Sequence, residues 1–342
     1  MVGQHMTLPV EGYQLTDISP KAYEHPADAA ATAALASVPM LDAVVRKLIE
    51  FGYERALRQS YLGASVRLGP NQLPDVYRIY EQVFVTLDMP DVYPLYVTQD
   101  PVMNAMTIGA EQPIIVLRSS LVNTGDEELL RAVLAHEVAH ILSEHVLYRT
   151  ALMILLRMTV ARMPMVAGLP LMAARAALLE WARATELSCD RAAALVARDP
   201  MPLCRSLMQL TGGVKDLDLD AYLAQAAEYN EGGKGVDRLQ RLWMELGVTH
   251  ALPVKRVREV MDWVRGGDFD RIVAGDYVRR GDEVDVRKTA DAAVQFYADR
   301  FQGAFKDAGD SLASAGEQFS DWVRKASGGG RPPGDGDDGS AK

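Results

Sequence analysis

The chain has 342 residues, 49% of them apolar, 24% charged and 7% aromatic, with a formal net charge of −10. That composition excludes a disordered polymer, and the length suffices to bury a sizeable core in one large or two modest domains. The acidic balance argues against nucleic acid as a partner, because phosphate recognition requires a basic face. Two cysteines, Cys189 and Cys204, cannot make a disulfide framework and point to a reducing, cytoplasmic setting.

Residues 1–28 hold no apolar run, so no signal peptide is predicted and they read as an N-terminal extension. From Ala29 to Arg58 apolar residues recur every three or four positions, as in one or two amphipathic helices, and a short helix follows at 75–87. PLYVTQD (94–100) and PIIVLRSSLV (113–122) are the strand candidates, with NAMTIG (104–109) between them and Gly109 as the turn. Thr124 and Glu127 match a capping box that opens a helix running through LLRAVLAHEVAHILSEHVLYR. Strands followed by this helix give an α+β unit.

Residues 150–174 are rich in Met. Arg157 and Arg162 interrupt this stretch, and Pro164, Gly168 and Pro170 break it, so no membrane-spanning helix is expected. A buried helical hairpin is one reading of it; peripheral contact with a membrane or another subunit is the other. Helices are expected at 175–198, 200–210 and 218–230, and an exposed loop at 230–236. A helical extension over 281–325 and a disordered Gly/Pro/Asp-rich tail at 326–342 close the chain.

The chemistry concentrates in His136-Glu137-Val138-Ala139-His140. On a helix, positions i and i+4 lie about 40° apart, so both imidazoles reach one ion while Glu137 stands beside them to address a water. Two surface histidines are the bland alternative, but Leu130, Val133 and Leu134 make this a largely buried helix, where unpaired histidines are costly. Zinc needs a third protein ligand. His145, about 140° round a continuous helix from His140, cannot join the same ion. Glu186 and Asp190 are again i,i+4: one carboxylate can ligate while the other orients a histidine, and the spacing leaves open which does which. Cys189 is a rival, although thiolates mark structural more than hydrolytic sites.

The chain resembles the M48 family of zinc metallopeptidases, in the gluzincin branch of the zincins. The resemblance rests on NAMTIG, on PIIVLRSSLV followed by LLRAVLAHEVAH, on His145, on Glu186-Leu-Ser-Cys-Asp190, and on Thr249-His250 with Arg256 downstream. It covers roughly 20–280, and the domain is placed at 29–280. It implies an α+β, predominantly helical zincin-like fold with a small sheet beside the metal helix, and one Zn²⁺ held by His136, His140 and Glu186. Asp190 would stand behind the ligands. The implied reaction is endopeptidase hydrolysis of a peptide or unfolded protein, with a metal-activated water and Glu137 as general base. His250 would stabilise the oxyanion with Arg256 as a supporting charge, unless His250 merely caps a helix near Pro253. Tyr148 is a weaker donor candidate. Asn104 and Ala105 would hold the substrate main chain, unless Asn104 only stabilises its own turn. An extended substrate would pair with a sheet edge such as 113–118. The chain is more similar to the soluble branch, and Ala251 replaces the family's usual Pro after His250. A scaffold that binds partners through 150–174, with proteolysis secondary, is the competing reading.

Overall fold

The structure, a computed structural model, describes residues 12–36, 45, 53–157, 165–214, 216–231 and 250–282. In chain order the elements are α1 (Pro26–Ala36), α2 (Tyr53–Ala64), β1 (Val66–Arg67), α3 (Pro74–Thr86), β2 (Leu95–Thr98), β3 (Ala105–Ile108) and β4 (Ile114–Arg118). They continue with α4 (Ser119–Val122), α5 (Glu127–Leu142), α6 (Val146–Arg157), α7 (Met165–Ala197) and α8 (Met201–Gly212). The last are α9 (Leu219–Glu231), α10 (Pro253–Arg265) and α11 (Asp268–Val273). This is the expected α+β architecture, mostly helical with one small mixed sheet. The expected helix in 281–325, the tail, most of the 230–236 loop and Thr249 lie outside the described residues.

The sheet order is β1-β2-β4-β3, with β2 parallel to β4 and both outer pairs antiparallel. Two expectations change here. Residues 105–108 form a strand rather than a connection, because they pair fully with β4, Ala105 opposite Leu117 and Thr107 opposite Ile115. Residues 114–118 therefore lie inside the sheet, whose edges are β1 and β3. Gly109 does make the turn: its φ is +103°, and a Cβ there would stand 2.6 Å from the Gln112 carbonyl oxygen.

The metal helix is also shorter than its apolar pattern suggests. It starts at the Asp126 cap, whose carboxylate accepts from the Leu129 amide at 3.0 Å. The expected cap, Thr124, instead donates its hydroxyl to Leu121 O in the preceding turn. The helix stops after Leu142, where Glu144 takes φ +59° and the His145 amide donates to His140 O at 2.9 Å. With Glu144 N–H donating to Ile141 O, this is a Schellman closure. It restarts the chain as α6 and turns His145 back toward His140.

Three apolar clusters hold these elements among the described residues, the smallest joining Leu57 of α2 to Tyr96, Ile108, Ile114 and Val116 of the sheet. The main core packs α3, α5, the sheet, α8, α10 and the C-terminal half of α7. Leu15, Ile18 and Tyr23 enter the same core at 1% exposure or less, so the stretch from Gly12, expected to precede the domain, is built into it. The second cluster joins Ala27, Ala31 and Leu35 of α1 to Leu152 and Leu155 of α6 and to Trp181 of α7. The start of the Met-rich stretch is thus core; the side chains of 157–174 lie outside the described residues. Among the described residues no helix is long and apolar enough to cross a membrane.

Candidate metal centre

Helices α5 and α7 bring their i,i+4 pairs face to face. His136 Nε2 lies 3.4 Å from Glu186 Oε2, and His140 Nε2 lies 3.4 Å from Glu186 Oε1. These three residues each offer a ligand atom within 4.8 Å of the others, and all are buried. Of the two acids that the spacing left open, Glu186 reaches the Nε2 atoms, and Asp190 reaches the far side of one ring. Asp190 Oδ1 sits 3.0 Å from His136 Nδ1, which directs the Nε2 lone pair inward. Arg256 clamps this acid, donating from Nε to Oδ2 at 2.7 Å and from Nη2 to Oδ1 at 2.6 Å.

Glu186 is surrounded by cations. Arg149 donates to its Oε1 at 2.6 Å, His250 Nδ1 lies 2.9 Å from Oε2, and Arg256 Nη1 lies 3.2 Å away. Burial by itself would raise this carboxyl, but His250, Arg256 and Arg149 hold it well below the usual range. Burial opposes ionisation of Asp190 too, and Arg256 with His136 outweighs it. At Asp28 burial is likewise overcome, chiefly by His145. Each of these carboxyls has a folded pKa below its unfolded value, so the unfolded chain takes up protons first on acidification. Their contribution is complete above about pH 5, begins to fall as pH drops through the unfolded values near about 4, and is gone only below the lowered folded values. The urea midpoint of the metal-free protein should therefore drop steeply below about pH 5; a flat profile would contradict these pairings.

Glu137 is 4% exposed, beside the two imidazoles on the same helix. The Thr107 hydroxyl lies 2.7 Å from its Oε2 and 2.9 Å from its carbonyl oxygen, and its one proton serves either. No site role for Thr107 is legible in the sequence, where 104–109 reads as the segment between two strands. As a strand, period-two alternation places Thr107 on the face of Ala105, toward α5. Arg149 is not marked out there either, although a cation inside the apolar run VLYRTALMILL requires a buried partner.

Glu137, His136 and Glu186 line a cleft of about 250 Å³ together with Asn104, Ala105, His250 and Arg256. Apolar side chains from Ala132, Val133, Leu203 and Leu207 complete its wall. His250 does not cap α10, whose cap is Leu252 without a side-chain bond; it stands at the cleft against Glu186. Asn104 turns its carboxamide oxygen to the Ala105 amide at 2.9 Å. Tyr148 packs edge-on against Trp181, with ring centroids 5.5 Å apart.

The donor set fits a metal ion. His140 Nε2 is buried without a hydrogen-bond partner, an arrangement costly for a polar nitrogen unless it is a ligand. Cys189 lies behind the ring, its Sγ 3.2 Å from His140 Nδ1, and burial pushes its thiol well up. Its sulfur faces the Nδ1 side of the ring, whereas Glu186 faces the Nε2 side.

Comparison with known proteins agrees with this geometry. The profile of peptidase family M48 matches residues 70–264, which contain the metal helix, Glu186, Asp190, His250 and Arg256. The plastoglobule-localized metallopeptidase 48, chloroplastic, of Arabidopsis thaliana is 32% identical over 266 residues, 75% of this chain and 76% of the relative. No solved structure matches the chain. The chain belongs to the M48 family of metallopeptidases.

Proposed function

We propose that the chain is a zinc-dependent endopeptidase in which His136, His140 and Glu186 hold the metal and Glu137 is the general base. One observation carries this reading: three buried donors converge beside Glu137 at a cleft, and His140 Nε2 makes no hydrogen bond among the described residues. Two imidazoles and one carboxylate suit Zn²⁺ with a position left open for chemistry. Bound zinc supplies a Lewis acid for the scissile carbonyl and lowers the pKa of a water.

The rest falls to the chain. Glu137, steadied by Thr107, takes the proton from the attacking water and delivers it to the leaving amine. His250, with its side chain 43% exposed at the cleft, donates to the developing oxyanion, and Arg256 supports it electrostatically from behind. An extended peptide lies along β3, the sheet edge beside the cleft, where Asn104 and Ala105 meet its main chain. That backbone template is the reason to favour a peptide or unfolded protein over a non-peptide ester. The two free, buried thiols suit a reducing compartment such as the cytoplasm.

The test is digestion of an unfolded polypeptide and a peptide library by the purified protein, then after chelation, then after zinc is restored. Internal bonds should be cleaved, with activity lost on chelation and recovered with zinc. Zinc-loaded protein that cleaves no peptide would overturn the reading.

A further inference from the structure

Among the buried titratable groups that the proposed reaction leaves unused are Asp28 on α1 and His145 just before α6. Asp28 is 1% exposed and His145 is 5% exposed. Asp28 Oδ2 lies 3.2 Å from His145 Nε2, and His145 Nδ1 lies 3.1 Å from His140 Nδ1. These contacts form one line from the N-terminal helix to the back of a metal-binding imidazole. We propose that Asp28 and His145 are positioning residues that hold His140 in the tautomer and orientation the metal needs. The proposal rests on the reading of His140 as a ligand.

Hydrogen-bond accounting gives the direction. A His140 that offers the Nε2 lone pair to a metal must carry its proton on Nδ1. That N–H faces two neighbours, the His145 Nδ1 at 3.1 Å and the Cys189 sulfur at 3.2 Å. Sulfur is a weak acceptor, and an imidazole nitrogen is the better one. His145 Nδ1 then accepts, so its own proton resides on Nε2, opposite the Asp28 carboxylate. Every donor has an acceptor, and the line ends on a fixed negative charge.

The charge is held in place from other directions. Ser188 donates to Asp28 Oδ2 at 2.6 Å and accepts from the His25 amide at 2.9 Å, and Thr32 donates to Oδ1 at 3.2 Å. Ser188 is two residues from Glu186, so the same carboxylate ties α1 to the helix bearing the third metal-binding donor. A buried carboxylate is costly, and packing alone would be served by an apolar residue. Asp28 also lies outside the stretch 70–264 that carries the family match, so its segment contributes to the metal site from beyond that stretch.

The experiment uses full-length protein stripped of metal, with zinc affinity read by competition against a chromophoric chelator. Asp28→Asn keeps the shape and removes the charge; His145→Gln removes the relay ring. Zinc affinity should fall by about 10-fold in the first and by about 10–100-fold in the second. The metal-free protein should lose some stability in Asp28→Asn, which gives up the paired carboxylate, so the ratio of zinc affinities decides. The visible bands of the cobalt-loaded protein should shift in both, because His140 is no longer fixed. Thr32→Val, which removes a different bond to the same carboxylate together with the acceptor of the Trp181 indole N–H, should bind zinc within about twofold of wild type and serves as the control for loosening of α1.

Wild-type affinity in both variants, or a loss of metal-free stability with unchanged affinity, overturns the proposal. If Asp28→Asn does not fold, His145→Gln decides alone; if neither folds, the pair is structural and the proposal fails. A second equivalent of zinc that disappears in Cys189→Ala would mean that His140, His145 and Cys189 hold an ion themselves, which also overturns it. Failure of the relay shows in the ratio of variant to wild type. Failure of the underlying reading shows in the wild type, as an inability to hold zinc, and the relay then falls with it.

Discussion

Glu137→Gln will retain wild-type metal content and lower kcat on peptides by about 10²–10⁴-fold, the range for losing a positioned general base. The substitution keeps the volume of a side chain that is 4% exposed within α5, so the helix and its two imidazoles stay in place. The glutamine oxygen still accepts from Thr107, which leaves the β3 contact intact. Only the capacity to take a proton disappears. KM should change little, because the cleft walls from β3 and α8 are untouched. Metal analysis run beside single-substrate kinetics separates the outcomes. Unchanged proteolysis would remove Glu137 from the reaction, and lost metal would make it part of the ligand set instead.

How much of this was legible beforehand follows from what spacing can encode. The i,i+4 pairs His136/His140 and Glu186/Asp190 are helical facts, and a helix of fixed pitch delivers them whatever surrounds it. Which acid meets the Nε2 atoms depends on the crossing of α5 and α7, a tertiary fact that two isolated spacings do not contain. The end of the metal helix was misjudged for a related reason. Apolar residues keep their helical period across Ser143 and Glu144, but a Schellman closure at a non-glycine residue leaves no punctuation in the sequence. That hidden break freed His145, which on a continuous helix would point away from His140. Strand β3 is four residues long and was overlooked because so short a run acquires its identity from β4, its partner. Thr107 went with it. Asp28 was beyond reach of any local pattern, since 117 residues separate it from His145 in the chain.

Glu186→Ala should abolish stoichiometric zinc binding and destabilise the metal-free protein, whereas Cys189→Ala should leave zinc binding intact. The contrast follows from charge. Glu186 is 1% exposed and is the shared partner of Arg149 and Arg256, so its removal strands the largely buried Arg149 guanidinium and leaves Arg256 with Asp190. Breaking such a buried pair costs about 3–5 kcal/mol. Arg256 keeps Asp190, so most of that cost falls on Arg149, whose only ion pair with geometry at 2.6 Å among the described residues is with Glu186. Cys189 is equally buried, its thiol is pushed up by burial, and it sits at the Nδ1 side of His140, away from Glu186 at Nε2. Metal loss in Glu186→Ala could reflect either a missing ligand or a collapsed site, and a second substitution separates them. In Glu186→Ala combined with Arg149→Met, the stranded cation is gone, so much of the metal-free stability should return while zinc binding does not. If zinc binding returned with stability, the carboxylate would be a structural anchor and the third ligand would have to be sought elsewhere. Equal zinc loss in Cys189→Ala would point to the thiol as that ligand.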